Sequence, residues 1–467
     1  MNSANLPSIF LPPVNRSMQH LDKAFFRKTV PLAAARVSNI KETHHIRSEL
    51  LKSGDLLQIS SIKSLREDPS KQGSKCFLLR PEIKAQNPSN WSSTLRKLVD
   101  AGQISVIEYG LELSYDDWSA SNILEATLPE FPEEDKETPA GFSQVGQVAH
   151  VNLRNQYLPY KYLIGQVLMD KSPLTKTVIN KTLDVGTGSA FRTFPYEVLA
   201  GPDNLDVQVS EAGCQFKFNF GKVYWNPRLS HEHERLVQRF KEGEAVCDVM
   251  AGVGPFAVPA GRKRIFVHAN DLNPDSYEAL VWAIEKNKVG DFVTASCADG
   301  RAFIRQASED IRQNKHEVRL QPPVKISRTA NASERQEALA KAEATARTIS
   351  RPHSFDHFVM NLPATAVEFL DAFRGLYHGR ESEFTPTTDR QLPLIHVHLF
   401  QAKRDTAAEE HAEVCQRVTE NIGHTIRPDD ADVDLHYVRL VSPKKKMYCA
   451  SFRLPWEVAF AEQHQSK

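Results

Sequence analysis

From about residue 230 onward, helical spacing alternates with short apolar runs, and no other feature of the chain restricts its fold so closely. "AVCDVMAG", "RIFVHANDL", "HFVMNLP" and "LIHVHLF" are strand-length and apolar, with room for a helix between them. Strands buried on both faces read this way, and parallel strands need helical crossovers. The expected core is therefore a mostly parallel sheet with helices on both faces. Its first strand runs into "CDVMAGVGPFAVPAGRK", where Gly252 and Gly254 precede Pro255. Strand, tight glycine turn and helix start are how such folds build a site for an adenine-containing cofactor.

A cofactor loop also needs an acid at the end of the next strand for the ribose hydroxyls. "RIFVHANDLNPDS" supplies Asp271, and a third strand closes on "ASCADGRAFI", where Asp299 can accept from an adenine amino group. The loop lacks both the GxGxxG pattern and the GxxxxGK pattern, and no lysine waits to hold a phosphate. S-adenosylmethionine, which has adenine, ribose and an amino acid but no phosphate, fits better. A fourth strand end supplies "NLP", Asn361 to Pro363. In methyltransferases acting on planar nitrogen, a polar residue followed by proline sits beside the sulfonium. The other reading of Asn361 is a cap on the helix "ATAVEFLDAF". A second glycine stretch, "LDVGTGSAF" at Leu183 to Phe191, follows a weak strand with no helix pattern behind it, so a turn is expected there.

In "GKVYWNPRLSHEHERLVQRF", Glu232 shares an apolar helical face with Leu236 and Phe240 and points inward. It is either a general base or a structural ion pair with Arg235 or Arg228. His231 and His233, two positions apart on a helix, face different ways, which disfavours a metal pair.

Lysine plus arginine equals aspartate plus glutamate at 58 each, so a nucleic-acid binder of this composition must concentrate its positive charge locally. Lys444, Lys445 and Lys446, on an expected hairpin, are one such cluster. Six scattered cysteines without a CxxC pair argue for free thiols and against structural zinc. No apolar run reaches the roughly 20 residues of a membrane-spanning helix. The first forty residues set Arg16, Lys23, Arg27, Lys28 and Arg36 against Asp22 alone, a balance compatible with a mitochondrial presequence. "PPVNRSMQHLDKAFFRKTVPLAA" nevertheless has the spacing of folded structure, which is the preferred reading. The acidic "LPEFPEEDKETPAG" reads as a linker. An Ala-, Arg- and Glu-rich stretch near 305–353 reads as a surface insertion.

Taken together, "VGQVAHVNLRNQYLPYKYLIGQVLMDK", "YWNPRLSHEHERL", "DVMAGVGPFAVPAG", "NDLNPDS", "NLP" and "VRLVSPKKKMYCASFRLP" resemble the eukaryotic and archaeal tRNA (guanine(37)-N1)-methyltransferases. "PPVNRSMQHLDKAFFRKTVPL" resembles the opening of the fungal members. The resemblance covers most of the chain, most weakly at about 65–138 and in the insertion. It implies an α/β fold, a Rossmann-like class I S-adenosylmethionine-dependent methyltransferase domain at 230–467 with two smaller α+β domains ahead of it. Those would be a tRNA-recognition domain at 1–138 and a domain at 139–229 contributing to the active site. It also implies methyl transfer to N1 of the guanosine next to the anticodon, which supports reading-frame maintenance.

Glu232 matches the family's base, Arg192 would stabilise charge on O6, Asn361 would align the guanine and Tyr224 would pack on it. The implied cofactor contacts are His233, Asp248, Gly252, Gly254, Pro255, Asp271, Leu272, Asp299, Gly300 and Asn361, with no metal. The expected partner is tRNA, the expected state a monomer away from membranes. The expected locations are cytoplasm and nucleus with a mitochondrial matrix pool. Two alternatives compete: an aminocarboxypropyl transferase of wybutosine synthesis, which usually has tyrosine in place of Pro255 and lacks the base constellation, and a catalytically silent tRNA-binding protein.

Overall fold

The computed structural model describes residues 6–130, 132, 139–182, 191, 193–320 and 332–462. The chain divides into two compact units, Met1–Thr182 with Tyr196–Asn204, and Leu183–Pro195 with Leu205–Lys467. The glycine stretch Leu183–Ala190 and Arg192 lie outside the described residues, as does most of the acidic stretch after Leu128.

The first unit contains two four-stranded sheets. One has the order β2-β3-β1-β4, formed by β1 (Lys28–Val37), β2 (Leu65–Glu67), β3 (Lys75–Leu78) and β4 (Ile104–Leu113). Helices α1 (Thr43–Lys52), α2 (Ser93–Asp100) and α3 (Ala120–Thr127) accompany it. The other has the order β5-β6-β7-β8: β5 (Ser143–Val145), β6 (Val148–Val151), β7 (Thr177–Lys181) and β8 (Tyr196–Ala200). Helix α4 (Lys161–Lys171) is the crossover between β6 and β7, the parallel pair of this sheet. Side chains of β1 alternate between two cores, as a period of two requires. Ala33, Ala35 and Val37 pack with α1 and α2, whereas Val30, Leu32 and Ala34 join a second cluster.

That second cluster runs from Phe10 and Trp118 through Leu163 to Leu199, so both sheets share one core. The expected limit at 138 therefore does not separate independent cores. Gly165 is required where α4 crosses β8, because a Cβ there would run into Leu199. The amino-terminal segment is part of this core: Phe10 and Phe26 are fully buried, and Trp118 Nε1 donates to the Phe10 carbonyl at 2.7 Å.

The second unit opens with the hairpin β9 (Asp206–Glu211) and β10 (Cys214–Asn219), then α5 (Ser230–Arg239). Asn287 ties this hairpin to the following domain, accepting from the Gln215 amide at 2.9 Å and donating to its carbonyl at 2.8 Å. The break therefore falls near 205, not at the expected 229. Next come β11 (Ala245–Asp248), α6 (Ala257–Arg262), β12 (Phe266–Asn270), α7 (Pro274–Asn287), β13 (Val293–Ser296) and α8 (Gly300–Gln313). β14 (Glu317–Leu320), α9 (Ala332–Ala344) and β15 (Arg347–Ser350) precede β16 (His357–Met360), β17 (Leu394–Ala402) and α10 (Ala407–Ile422). β18 (Asp434–Ser442), β19 (Lys445–Arg453) and α11 (Trp456–Ala459) close the chain.

The seven-stranded sheet has the order β13-β12-β11-β16-β17-β19-β18. Its first five strands are parallel and β19 is antiparallel to both neighbours. This is the Rossmann-like arrangement that the alternating pattern implies. Its strand order reverses beside β11, where open α/β sheets bind ligands. The inserted part is the β14–β15 pair with α9. It begins later than 305, because Phe303, Ile304, Ala307 and Ile311 of α8 are buried in the core.

Truncating Phe10 to alanine is expected to destabilise the first unit by about 3–5 kcal/mol, the usual range for a fully buried aromatic. Urea denaturation of wild type and Phe10→Ala measures it. An equal midpoint would mean that this segment does not contribute to the core.

Candidate functional site

A pocket lies where β11, β12, β13 and β16 end. Of the residues expected at the site, Tyr224, His233, Gly252, Pro255, Asp271, Leu272, Asp299, Gly300 and Asn361 line it; Glu232, Asp248 and Gly254 do not.

Two neighbouring residues organise the pocket floor. Asp271 Oδ2 accepts from the Gly252 amide at 2.9 Å and Oδ1 from the Asn273 amide at 2.9 Å, tying the glycine loop to the end of β12. Asn270 donates to the Val249 and Ala298 carbonyls at 3.1 and 2.9 Å and accepts from the Ala298 amide at 2.9 Å. It thereby joins the ends of β11, β12 and β13. Sequence reasoning passed over Asn270; a polar residue ending the apolar run "RIFVHAN" was the available signal.

The two glycines have different duties. Both have positive φ, +57° at Gly252 and +93° at Gly254. A Cβ on Gly252 meets nothing within 4 Å, whereas one on Gly254 would lie 2.6 Å from Leu280 and 3.0 Å from Val258. Gly252 therefore leaves space in the pocket, and Gly254 permits the packing of α6 and α7 beneath it. Asp299 caps α8, with Oδ1 accepting from Arg301 and Ala302 at 3.0 and 3.2 Å. Gly300 sits so close to Phe369 that a Cβ would be 3.0 Å from its ring. Asn361 does not cap a helix: the 3₁₀ helix that follows is Ala366–Phe373 with Thr365 at its N-cap, and Asn361 Oδ1 is buried without a partner.

Among the described lining residues there is no lysine or arginine, while Asp271 and Asp299 are both present. That set suits a ligand with a cationic centre, ribose and an adenine amino group, and it disfavours phosphate. S-adenosylmethionine fits these residues, and the open position at Gly252 and the unpartnered Asn361 oxygen are consistent with a ligand there.

Asp248, at the end of β11, is fully buried with neither carboxylate oxygen hydrogen-bonded. Burial, with the charge of Asp271 adding to it, pushes its carboxyl up to about 8. It stands beneath the pocket and not in its wall. Glu232 is also buried, behind the wall, on α5. Arg235 donates to both of its oxygens at 2.6 and 2.8 Å, and His398 Nε2 lies 2.8 Å from Oε1. The ion pair with Arg235 read as an alternative from sequence is thus formed. Burial works to raise this carboxyl, but the Arg235 and His398 hydrogen bonds prevail and hold it well below the usual carboxylate range. Burial lowers His398, while the Cys449 sulfur and Glu232 beside it raise it to about 10. Glu232, His398 and Cys449 have donor atoms within 4.8 Å of one another, but the Arg235 guanidinium occupies the carboxylate and opposes a cation.

His233, the next residue, faces the pocket; its Nδ1 lies 2.5 Å from Glu211 and its ring packs edge-on to Phe256. Of the three hairpin lysines, Lys444 and Lys445 are exposed, but Lys446 is engaged at 2.8 Å with buried Glu410.

Residues 207–315 match the family model of the TRM5/TYW2 methyltransferase domain, and 120–204 that of the TYW2 N-terminal domain. A tRNA (guanine(37)-N(1))-methyltransferase of Aspergillus fumigatus is 49% identical, covering 98% of this chain and 97% of its own. One of Schizosaccharomyces pombe is 43% identical, covering 95% and 96%. The chain belongs to this family. Wild-type Trm5b from Pyrococcus abyssi shares the fold with a TM-score of 0.53 at 20% identity, over 90% of this chain and 99% of that one. So does aTrm5 in its complex with tRNALeu, with a TM-score of 0.54 at 17% identity, over 91% and 100%.

Gly252→Ala and Gly254→Ala both carry the strain of a positive φ, about 1–2 kcal/mol, but only Gly254→Ala adds the clash with Leu280 and Val258, so it should lose more stability, while Gly252→Ala should mainly weaken S-adenosylmethionine binding. Calorimetry and thermal melts separate the two, and identical behaviour would refute the division of duties. For Asp248, the unfolded chain releases its proton near the ordinary carboxylate pKa, but the folded chain holds it to about 8. Stability therefore falls as pH rises through that window. Asp248→Asn should flatten this decline and raise the melting temperature at pH 7.5, without cofactor, by about a few degrees.

Proposed function

We propose that this chain transfers a methyl group from S-adenosylmethionine to N1 of guanosine 37 in tRNA. The observation that carries the reading is a phosphate-averse pocket with two acids at the switch point of a class I sheet, in a chain matching methyltransferases of this name over nearly its whole length. When bound, the cofactor supplies an electrophilic methyl group. Asp271 and Asp299 would hold its ribose and adenine edges, as acceptors. His233, Pro255 and Leu272 shape the walls, Asn361 orients the guanine, and Tyr224 packs against it. The base must be swung out of its loop to enter such a pocket.

N1 of guanine carries a proton that must leave, and Glu232 is the acceptor we assign. Arg235 and His398 keep it ionised, the form that accepts a proton, and they lower its basicity as well. Arg192, outside the described residues, is assigned to the charge developing on O6. The first unit, 1–182 with 196–204, is assigned to tRNA recognition, and the chain acts as a monomer. We assign it to cytoplasm and nucleus with a mitochondrial matrix pool; the basic excess of its first forty residues bears on the mitochondrial part alone. Fractionation of cells expressing the full chain tests that assignment.

Labelled methyl transfer to tRNA transcripts with and without guanosine 37 tests the reaction, and product mass separates methyl from aminocarboxypropyl. Glu232→Gln should slow the single-turnover step by about a hundred- to ten-thousand-fold at saturating tRNA and cofactor. The residual rate should rise with pH as hydroxide takes over deprotonation. A variant as fast as wild type would make Glu232 purely an ion-pair residue.

A further inference from the structure

The described lining of the pocket has no lysine or arginine, yet an RNA that delivers a base into it brings a phosphate on either side of that base. That charge must be met at the rim. Strand β18, the edge of the seven-stranded sheet, supplies the means through an irregularity in its pairing with β19.

Facing residues of an antiparallel ladder share one side of the sheet, and the sides alternate along each strand. His436 faces Cys449, Cys449 faces His398 on β17, and this row lies on the side that meets Glu232. Tyr437 faces Tyr448 on the other side. Regular alternation would then set Val438 opposite Met447 and return Arg439 to the side of Tyr437. Instead the register shifts between Tyr437 and Arg439, and Arg439 itself faces Met447. Met447 stands two residues from Cys449, so the bulge turns Arg439 to the Glu232 side. Met447 also faces Phe400 near the carboxyl end of β17, which places Arg439 one row nearer the rim than His436.

Lys445 follows on the same side, its Nζ 5.4 Å from the centre of the Phe400 ring. Other cations nearby are committed: Arg235 to Glu232, Arg239 to Asp434 and Lys446 to Glu410. Among the described residues, neither Arg439 nor Lys445 has an acidic partner; Arg439 Nε donates to the Leu440 carbonyl at 3.2 Å, and Lys445 is exposed. Burial, and then the charge of Arg228 just before α5, work against the Arg439 cation, while Tyr224 of the pocket lining and Tyr437 favour it. A phosphate in reach would offset that penalty, and a guanidinium can grip one at two points.

We propose that Arg439 and Lys445 hold the two RNA phosphates flanking guanosine 37 while its base occupies the pocket, the bulge of β18 aiming Arg439. This rests on the reading of the chain as a guanosine-37 methyltransferase.

The test measures binding of a guanosine-37 transcript to the full chain at several salt concentrations. Arg439→Gln and Lys445→Gln should each flatten the slope of log affinity against log salt by about 0.7, the share of one phosphate on a single strand. Melting temperature and S-adenosylmethionine affinity should stay at wild-type values. Arg439→Gln should weaken tRNA binding by about tenfold at low salt, and Arg439→Lys, which keeps the charge, should keep the slope. To locate the contacts, the phosphates on the 5′ and 3′ sides of guanosine 37 are replaced one at a time by neutral methylphosphonates. Every substrate carries 2′-O-methyl groups on the riboses preceding these linkages. One replacement should weaken wild type and have no further effect on Arg439→Gln, and the other should do the same for Lys445→Gln. Losses that add at both linkages, unchanged salt slopes, or a fall in melting temperature and cofactor affinity in both variants would each overturn the proposal. If wild type binds tRNA but does not methylate guanosine 37, the underlying reading fails instead.

Discussion

The site depends on a few hydrogen bonds at the end of β12. Asn270 holds the chain leaving β11 and the chain leaving β13 through its amide, and Asp271 holds the glycine loop through its carboxylate. Parallel strands place their carboxyl ends on one edge of the sheet, but the loops that follow are free to diverge. These two side chains make them converge. Each uses backbone groups as partners, so the arrangement tolerates variation among the side chains of the loops.

Glu232 depends on a different kind of constraint. A buried carboxylate is costly unless paired, and removing one partner of such a pair costs about 3–5 kcal/mol. Arg235 and His398 satisfy it, and the same contacts leave it a weak proton reservoir. The ion pair and the assigned base role are therefore two uses of one geometry, not alternatives.

Much of the pocket was legible in the chain. Gly252, Asp271, Asp299 and Asn361 each follow an apolar run within a few residues, and the parallel sheet brings all such positions to one rim. Local pattern failed where burial direction mattered. Asp248 ends its strand beneath the pocket and Gly254 faces Leu280, differences of one or two residues that spacing does not resolve. The limits expected at 138 and 305 were placed by changes in composition, and that at 229 by the onset of the alternating pattern. Neither registers that Phe10 and Leu199 share a core, that Asn287 binds β10, or that α8 continues inward to Ile311.

By itself the sequence determined the parallel strands and their crossovers, the phosphate-averse loop, and the inward stripe that carries Glu232, because all of these are written in periods of two to four residues or in single turns. Only the tertiary structure decided what surrounds that carboxylate. His398 is 166 residues away along the chain, and His396 meets Ser451 across 55. Nothing local announces such partners. Their meeting follows from strand order and register, in which β19 pairs antiparallel with β17 and one residue of slip would turn every histidine to the opposite face.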